Sequence, residues 1–443
     1  MKIQLSEHFT YRKLVRFCLP TIAMMIFTSV YGIVDGFFVS NYVGKTAFAG
    51  VNLIWPFLMI IGCFGFMIGT GGSALVSRTM GEGKADEANR YFTMLFYLTL
   101  ISGVFLSVLG AFFIGPIARF LGATEEMLPY YKWYGGIMAS FNFAFMLQFF
   151  FQSFFVTAGK PQLGFIATTV AGICNIVLDR LFIAVLDFGV AGAAAASVIG
   201  QVVGGVLPVF YFMRENPSLL KFTKTKMELR PLLSSCANGA SELLSNISAS
   251  LVGMLYNARL MMLAGEDGIS AYGVLMYTQM IFAAVFIGYA IGTAPVIGYH
   301  YGAADRSELK SLRRKSTVLM LSSGIVMMGL AWLLASPLSQ FFVGYDAELL
   351  RVTEHAFYIF AFSFVLAGFN IFASSFFTAL SNGAVSAAIS FLRTCVFQVA
   401  AVLFLPALFG GIDGIWWALT FAESGAFIVS TLFIIIKRKK YQY

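Results

Sequence analysis

Charged side chains are scarce in this chain: Lys, Arg, Asp and Glu make up 11% of its 443 residues, while 59% are hydrophobic. A soluble domain carries roughly 25% charged residues. So little charge cannot coat a water-facing surface of this size, which excludes the two or three globular domains that length alone would allow. A bilayer removes the difficulty, because lipid solvates apolar side chains and the backbone bonds internally. Histidine is scarcer still, limited to His8, His300 and His355, and no HExxH run is present. Without a metal or nucleophile constellation, an intramembrane enzyme is not expected. The five cysteines, Cys18, Cys63, Cys174, Cys236 and Cys395, all lie inside apolar stretches. None is spaced as a metal site or redox pair, so they read as buried free thiols. Acids are outnumbered, 21 against 29 bases. That excess does not point to nucleic acid, because the bases sit between apolar segments.

What the chain has instead is long apolar runs. Runs of about 20 residues, enough to cross a bilayer, begin near Leu14, Ala49, Phe92, Trp133, Leu163 and Val190, then near Leu232, Ile269, Thr317, His355, Ala384 and Ile412. Twelve transmembrane helices are therefore expected. Met1 to Arg16 is polar and basic and the run after it is long enough to span, so no cleavable signal is expected. Basic residues gather before the first span (Arg12, Lys13, Arg16), between the second and third (Arg78, Lys84, Arg90), after the sixth (Arg214 to Arg230), after the eighth (Arg306 to Lys315) and at the end (Lys437 to Lys440). The alternate loops hold mainly acids, among them Asp187, Glu266, Asp267, Asp346 and Asp413. About 22 of the 29 bases fall on one side and about four on the other, which makes that side cytoplasmic and places both termini there.

The two halves repeat at an offset of about 222 residues. "IGTGGSALVSRTMGEGKADE" answers "IGTAPVIGYHYGAADRSE", "GPIARFLGATEE" answers "SPLSQFFVGYDAE", and "FQSFFVTAGKP" answers "FASSFFTALSNG". Six spans per repeat is an even number, so both halves enter from the same side. The expected fold is an all-α membrane protein of two six-helix lobes, related by a pseudo-two-fold axis along the membrane normal. The lobes are read as residues 1–215 and 232–443, joined by a charged linker over 216–231. Such symmetry around a cleft is the usual plan of alternating access, hence of a transporter.

Charge at the centre of a bilayer is costly, so acids within spans are functional candidates. Asp35 and Asp179 lie about 21 and 16 residues into the first and fifth spans, which at 1.5 Å per residue puts both in the outer half of the core. Asn175 precedes Asp179 by one turn and shares its face. Ser197 enters the sixth span to a similar depth, so the four groups are expected to converge. Two carboxylates in a low-dielectric cavity repel, an arrangement suited to sharing a proton. With an amide and a hydroxyl they are also hard ligands for a small cation. The competing structural reading pairs Asp179 with Arg180, or has Asp35 cap a kink near Gly32 and Gly36. Adjacent helical residues diverge by about 100°, which disfavours the first pairing. Glu242, Arg393 and Glu423 lie near middle depth in the seventh, eleventh and twelfth spans. Glu242 and Glu423 are candidate attractors of a cationic cargo, or members of a neutralising cluster with Arg393. Abundant Phe and Met, 48 and 20 residues, suit a loosely specific apolar cleft. Met24, Tyr31, Met276 and Tyr277 are its candidate wall. The three histidines read as interfacial.

In the order and spacing of "YGIVDGFFVSNYVG", "QSFFVTAGKP", "CNIVLDRLFI", "GVAGAAAASVIGQ" and "PVIGYHYGA", the chain resembles the multidrug and toxic-compound extrusion (MATE) transporters, most closely their MepA-like and DinF-like bacterial branch. The resemblance spans nearly the whole chain. It implies an efflux antiporter of the bacterial inner membrane, exporting amphipathic, often cationic compounds against inward flow of H+ or Na+. Nothing in the sequence implies an obligate oligomer or a cofactor besides that ion, so a monomer is expected. In that family residues matching Asp35, Asp179, Asn175 and Ser197 line a first-lobe cation site, to which Gln148 or Gln152 would add an amide. A glutamate matching Glu242 is frequently needed for transport. The alternative is a flippase or exporter of a lipid-linked saccharide, or a narrow-specificity metabolite exporter. The prominence of acids over arginines inside the membrane favours cationic cargo.

Overall fold

A computed structural model describes residues 3–43, 45–121 and 124–443. Met1 and Lys2 of the polar leader, and Gly44, Gly122 and Ala123 of the quoted motifs, lie outside the described residues. The long apolar runs become helices, because a helix alone satisfies its own backbone within lipid. Spans one to three are Tyr11–Phe38, Lys45–Gly81 and Ala85–Phe112. Span four is two helices, Leu128–Ser140 and Asn142–Thr157, meeting at a bend of 51°. Spans five and six are Pro161–Asp179 and Gly189–Met213. Spans seven and eight run through one stretch, Leu229–Gly302, which breaks at Gly265, where φ is 62° and ψ −147°. Only glycine adopts that backbone without strain, and it lets the chain reverse with almost no loop. Span nine is Arg306–Val343. Span ten joins Ala347–Phe360 to Phe364–Ala379 through a single 3-10 turn. Span eleven joins Gly383–Phe391 to Phe397–Phe409 through a π turn, and span twelve is Asp413–Tyr441. Counting the break and the bend, twelve spans result, and no strand occurs among the described residues.

Several helices start well before their apolar runs: span three at Ala85 against Phe92, span nine at Arg306 against Thr317, and span ten at Ala347 against His355. The last two are extended by caps. Asp305 accepts from the N–H of Glu308, and Asp346 from those of Glu348 and Leu349, so the helix persists beyond its apolar length.

The lobes meet along a seam of glycines. A Cβ on Gly71 of span two would lie 2.0 Å from the carbonyl oxygen of Ser235, and one on Gly239 of span seven 1.9 Å from that of Met67. Nearer the basic face the contact is reciprocal: a Cβ on Gly81 would lie 2.0 Å from Tyr299 O, and one on Gly302 2.0 Å from Arg78 O. Each glycine thus meets the backbone of the other's helix, as a two-fold axis between them requires. Spans one and eight cross in the same manner, with Gly288 against Ile22 and Gly292 against Cys18. Small residues let membrane helices approach to backbone contact, where dispersion and packing replace the hydrophobic force that lipid does not supply.

The basic ends are further stapled. Phe9 and Leu5, fully buried, precede span one, and the Phe9 N–H donates to Glu308 Oε1 at 2.9 Å. His8 pairs with the other oxygen of Glu308, and Lys315 donates to the Phe9 carbonyl. The stretch after span six is not a free tether. The Lys221 N–H donates to Asn89 Oδ1 at 2.8 Å and the Thr223 N–H to Thr93 Oγ1 at 3.0 Å. Phe222 stacks on Phe92, 5.0 Å between ring centroids. Span three therefore carries this strap. His300 departs from the interfacial expectation: it is 3% exposed, because the last turn of span eight is covered where the lobes meet.

Candidate functional site

Span one begins with Thr10 as N-cap and runs far enough to bring Asp35 into the first lobe, next to spans five and six. Spans five and six pack closely there, a Cβ on Gly200 meeting Asn175 Cβ at 3.0 Å. That approach carries a polar chain. Asn175 Nδ2 donates to Ser197 Oγ at 3.3 Å, and Ser197 Oγ donates to Asp35 Oδ1 at 3.2 Å. Asp179, 0% exposed, faces Asp35, although neither of its carboxylate oxygens makes a hydrogen bond of ordinary geometry. Asp35 and Ser197 are partly open while Asp179 and Asn175 are buried, so the cluster has an accessible side and a closed one. A buried carboxylate with no partner is expensive, and this one is supplied with no cationic side chain. Arg180 is exposed and forms no ion pair with Asp179 among the described residues.

The backbone at these acids is irregular. A π turn over Arg180–Val185 follows Asp179 directly, and another over Val39–Val43 follows the helix that carries Asp35. Such turns leave a carbonyl out of the regular ladder and recur at functional sites.

One member of the cluster was not singled out from sequence. Tyr134, on the first helix of span four, is buried beside Ser197 and near Asp35 and Asp179, and its hydroxyl makes no hydrogen bond of ordinary geometry among the described residues. The only signal was a tyrosine hydroxyl deep in an apolar run, which must find a partner. Gln148, on the second helix of span four, lies beside Tyr31, whose hydroxyl also neighbours Asp35; the Gln148 Oε1 is buried and unbonded. Gln152, one turn further on, is buried, and neither amide atom has a hydrogen-bond partner among the described residues.

The charges of the second lobe separate. The Arg393 Nε–H is shared by the two oxygens of Glu423, at 2.8 and 3.1 Å. Asn370 Nδ2 donates to Glu423 Oε2 at 2.7 Å and to its carbonyl at 2.9 Å. Glu423 is 1% exposed and Asn370 0%, so the carboxylate is buried with both oxygens bonded, and its partly exposed partner Arg393 stands in the π turn Leu392–Val396. Glu242 is outside it. It lines a small cavity of ≈ 50 Å³ between the lobes with Thr70, Ser73, Ser153, Ser375 and Thr378. That is room for a few water molecules at roughly 15 Å³ each, not for a drug.

The candidate cleft wall is placed otherwise than expected. Met24 is 1% exposed and its sulfur packs over Gly164 of span five. Tyr31 packs on Gly172 of the same span. Both are turned into the first lobe because glycines on span five leave room for large residues of span one. Tyr277 stacks on Phe342 of span nine, 5.8 Å between centroids and 9° between planes. Met276 is partly buried against the main apolar core. Among the described residues no group of three or more His, Cys, Asp or Glu is arranged to hold a metal ion.

Comparison with known proteins gives this geometry its context. The MatE family model matches the chain twice, at residues 20–181 and 243–403, two matches displaced by 222 to 223 residues. Relatives include the multidrug export protein MepA of Staphylococcus saprophyticus, 22% identical with 97% of this chain and 94% of the relative covered. MepA of Staphylococcus haemolyticus is also 22% identical, with 95% and 92% covered. Among solved structures, an outward-facing MATE transporter of the MOP superfamily superposes with a TM-score of 0.93 at 22% identity, covering 99% of this chain and 98% of that one. A MOP superfamily transporter from Pyrococcus furiosus, described as having a binding pocket of reverse polarity, superposes at 0.91 and 22% with the same coverage. With the model repeated across most of both halves and the twelve-helix fold in place, the chain belongs to the MatE family, the multidrug and toxic-compound extrusion transporters.

Proposed function

We propose that this chain is a cation-coupled antiporter, exchanging H+ or Na+ at Asp35 and Asp179 for amphipathic, often cationic compounds moved outward across a bacterial inner membrane. The observation that carries the reading is the carboxylate pair. Two acids face one another in apolar surroundings, one buried and one reachable, with an amide, two hydroxyls and no cationic side chain to neutralise them. A proton shared by the two carboxyls, or a sodium ion held by their oxygens, supplies the missing positive charge. The ion adds attraction between spans one, five and six, and Asp35 is the member that moves with span one, which contains Pro20. Ion and cargo are then linked through one two-state equilibrium, so each lowers the other's affinity from a given side. Multidrug export by the MepA relatives supports the cargo class. The clustering of bases at one face, which holds both ends of the described chain, supports a cytoplasmic location of that face. The two lobes and the strap between them are the moving parts of this scheme, over roughly residues 1–215, 216–231 and 232–443.

The deciding experiment is efflux of a fluorescent cation such as ethidium from proteoliposomes, with sodium and pH gradients imposed separately. Efflux driven by one gradient names the coupling ion. No efflux under either gradient overturns the reading and favours a narrower or lipid-linked substrate.

A further inference from the structure

A shallow, open groove lies against the outside of span one, and its lining residues, Tyr11, Arg12, Val15, Arg16 and Leu19, all belong to that helix. It lies at the basic end of the helix, several turns from Asp35, and belongs to neither cluster of charges described above. Residues 12, 15, 16 and 19 recur at the spacing that puts them on one helix face. The opposite face, Leu14, Phe17, Cys18 and Thr21, is buried against the protein. Polarity along the exposed stripe is graded. Arg12 and Arg16 stand at the basic end with Val15, 39% exposed, between them, and Leu19, 56% exposed, follows inward; Leu19 is about 10 Å deeper than Arg12. That order matches an amphiphile whose head is anionic and whose tail enters the bilayer.

Neither arginine is neutralised by protein. Among the described residues Arg12 and Arg16 form no ion pair, whereas the neighbouring Lys13 is held by Glu7. Two guanidinia one helical turn apart are near enough to share one phosphodiester, whose two free oxygens match the N–H fork of arginine. Like charge keeps an amphipathic cation out of the same groove, so the site is distinct from any route for cationic cargo.

We infer that this groove binds one anionic phospholipid, its phosphodiester held by Arg12 and Arg16 and one acyl chain laid along Val15 and Leu19. The inference rests on the bilayer-spanning fold and not on ion coupling, so it stands or falls separately from the efflux experiment.

The test is native mass spectrometry of the purified full chain, titrated with phosphatidylglycerol or with phosphatidylcholine of the same acyl chains. Two basic groups at an anionic head correspond to roughly 30-fold tighter retention of phosphatidylglycerol. Arg12→Gln with Arg16→Gln should abolish that preference. Arg12→Lys with Arg16→Lys should keep part of it, and Leu19→Ser should weaken retention while leaving the head preference intact. Lys310→Gln with Arg314→Gln, a basic pair on the same face of the protein, should change nothing. Equal preference in the glutamine pair, or an equal loss in the Lys310 and Arg314 control, overturns the site. Displacement of the bound mass by excess inorganic phosphate overturns its assignment to a lipid. Thermal melting of each variant identifies a misfolded one, in which case the lysine pair and Leu19→Ser decide.

Discussion

At the scale of single residues, the carboxylate pair and the arginine–glutamate pair make opposite predictions. Asp35→Asn and Asp179→Asn each remove a charge the proposed ion needs, and an asparagine can keep much of the local hydrogen bonding. Both variants should fold with near-normal melting and lose gradient-driven ethidium efflux by at least about tenfold, as expected for loss of a charged ligand. Unchanged efflux from both would remove the coupling site. Ser197→Ala removes one hydrogen bond to the Asp35 carboxylate, worth about 1.5–3 kcal/mol, and should leave transport in place while shifting the apparent ion affinity about tenfold or more: weaker for Na+, which loses a ligand oxygen, and tighter for H+, because the ionised carboxylate loses its donor. In contrast, Arg393→Gln leaves Glu423 buried without its partner, a cost of about 3–5 kcal/mol read as a lowered melting temperature. Replacing both together, Arg393→Met with Glu423→Leu, should recover much of that loss. The first cluster was legible in the sequence because depth counted along straight helices and the one-turn spacing of Asn175 and Asp179 both survive folding. Tyr134 was not, since span four bends by 51° between its two helices and residue counting fails across a bend. Nor did spacing decide whether Arg393 would hold Glu242 or Glu423. That choice depends on how spans seven, eleven and twelve rotate against one another.

Among the elements, the twelve spans could be read from apolar length, because lipid imposes it, and their repeat from matching motifs. The ends of the helices could not, since caps such as Asp305 and Asp346 extend a helix past its apolar run. The crossings of spans two and seven and of spans one and eight were also hidden: glycine is common throughout the chain, 43 residues, and only packing shows which of them touch another backbone. If the seam closes the basic face, a side chain there must hold it ajar. In a background lacking the native cysteines, Gly81→Val or Gly302→Val should make a cysteine at Ser77, now buried, react several-fold faster with a membrane-impermeant maleimide applied from the basic face. An unchanged rate would show that the seam tolerates separation and is not the closure.

For the whole molecule, the strap docked on span three and the Phe9 segment docked on span nine tie each lobe to chain that belongs, in sequence, beside the other. The basic face is thus bound at several points, and the proposed orientation puts all of them inside the cell. A cysteine placed at Asp346 should accordingly be labelled by impermeant maleimide in intact cells, and one placed at Lys224 only after permeabilisation. The reverse pattern would invert the topology and with it the direction of transport.

The seam of glycines has a last consequence, for how such an interface is found at all. Truncating side chains measures what each contributes by deleting it, and Gly71, Gly239, Gly81 and Gly302 have nothing to delete. Their contribution is absence, the space that lets one carbonyl rest against another helix. A scan that shortens residues would pass over the line where the two lobes meet as though nothing held it. Only a scan that enlarges them, one methyl at a time, would draw it.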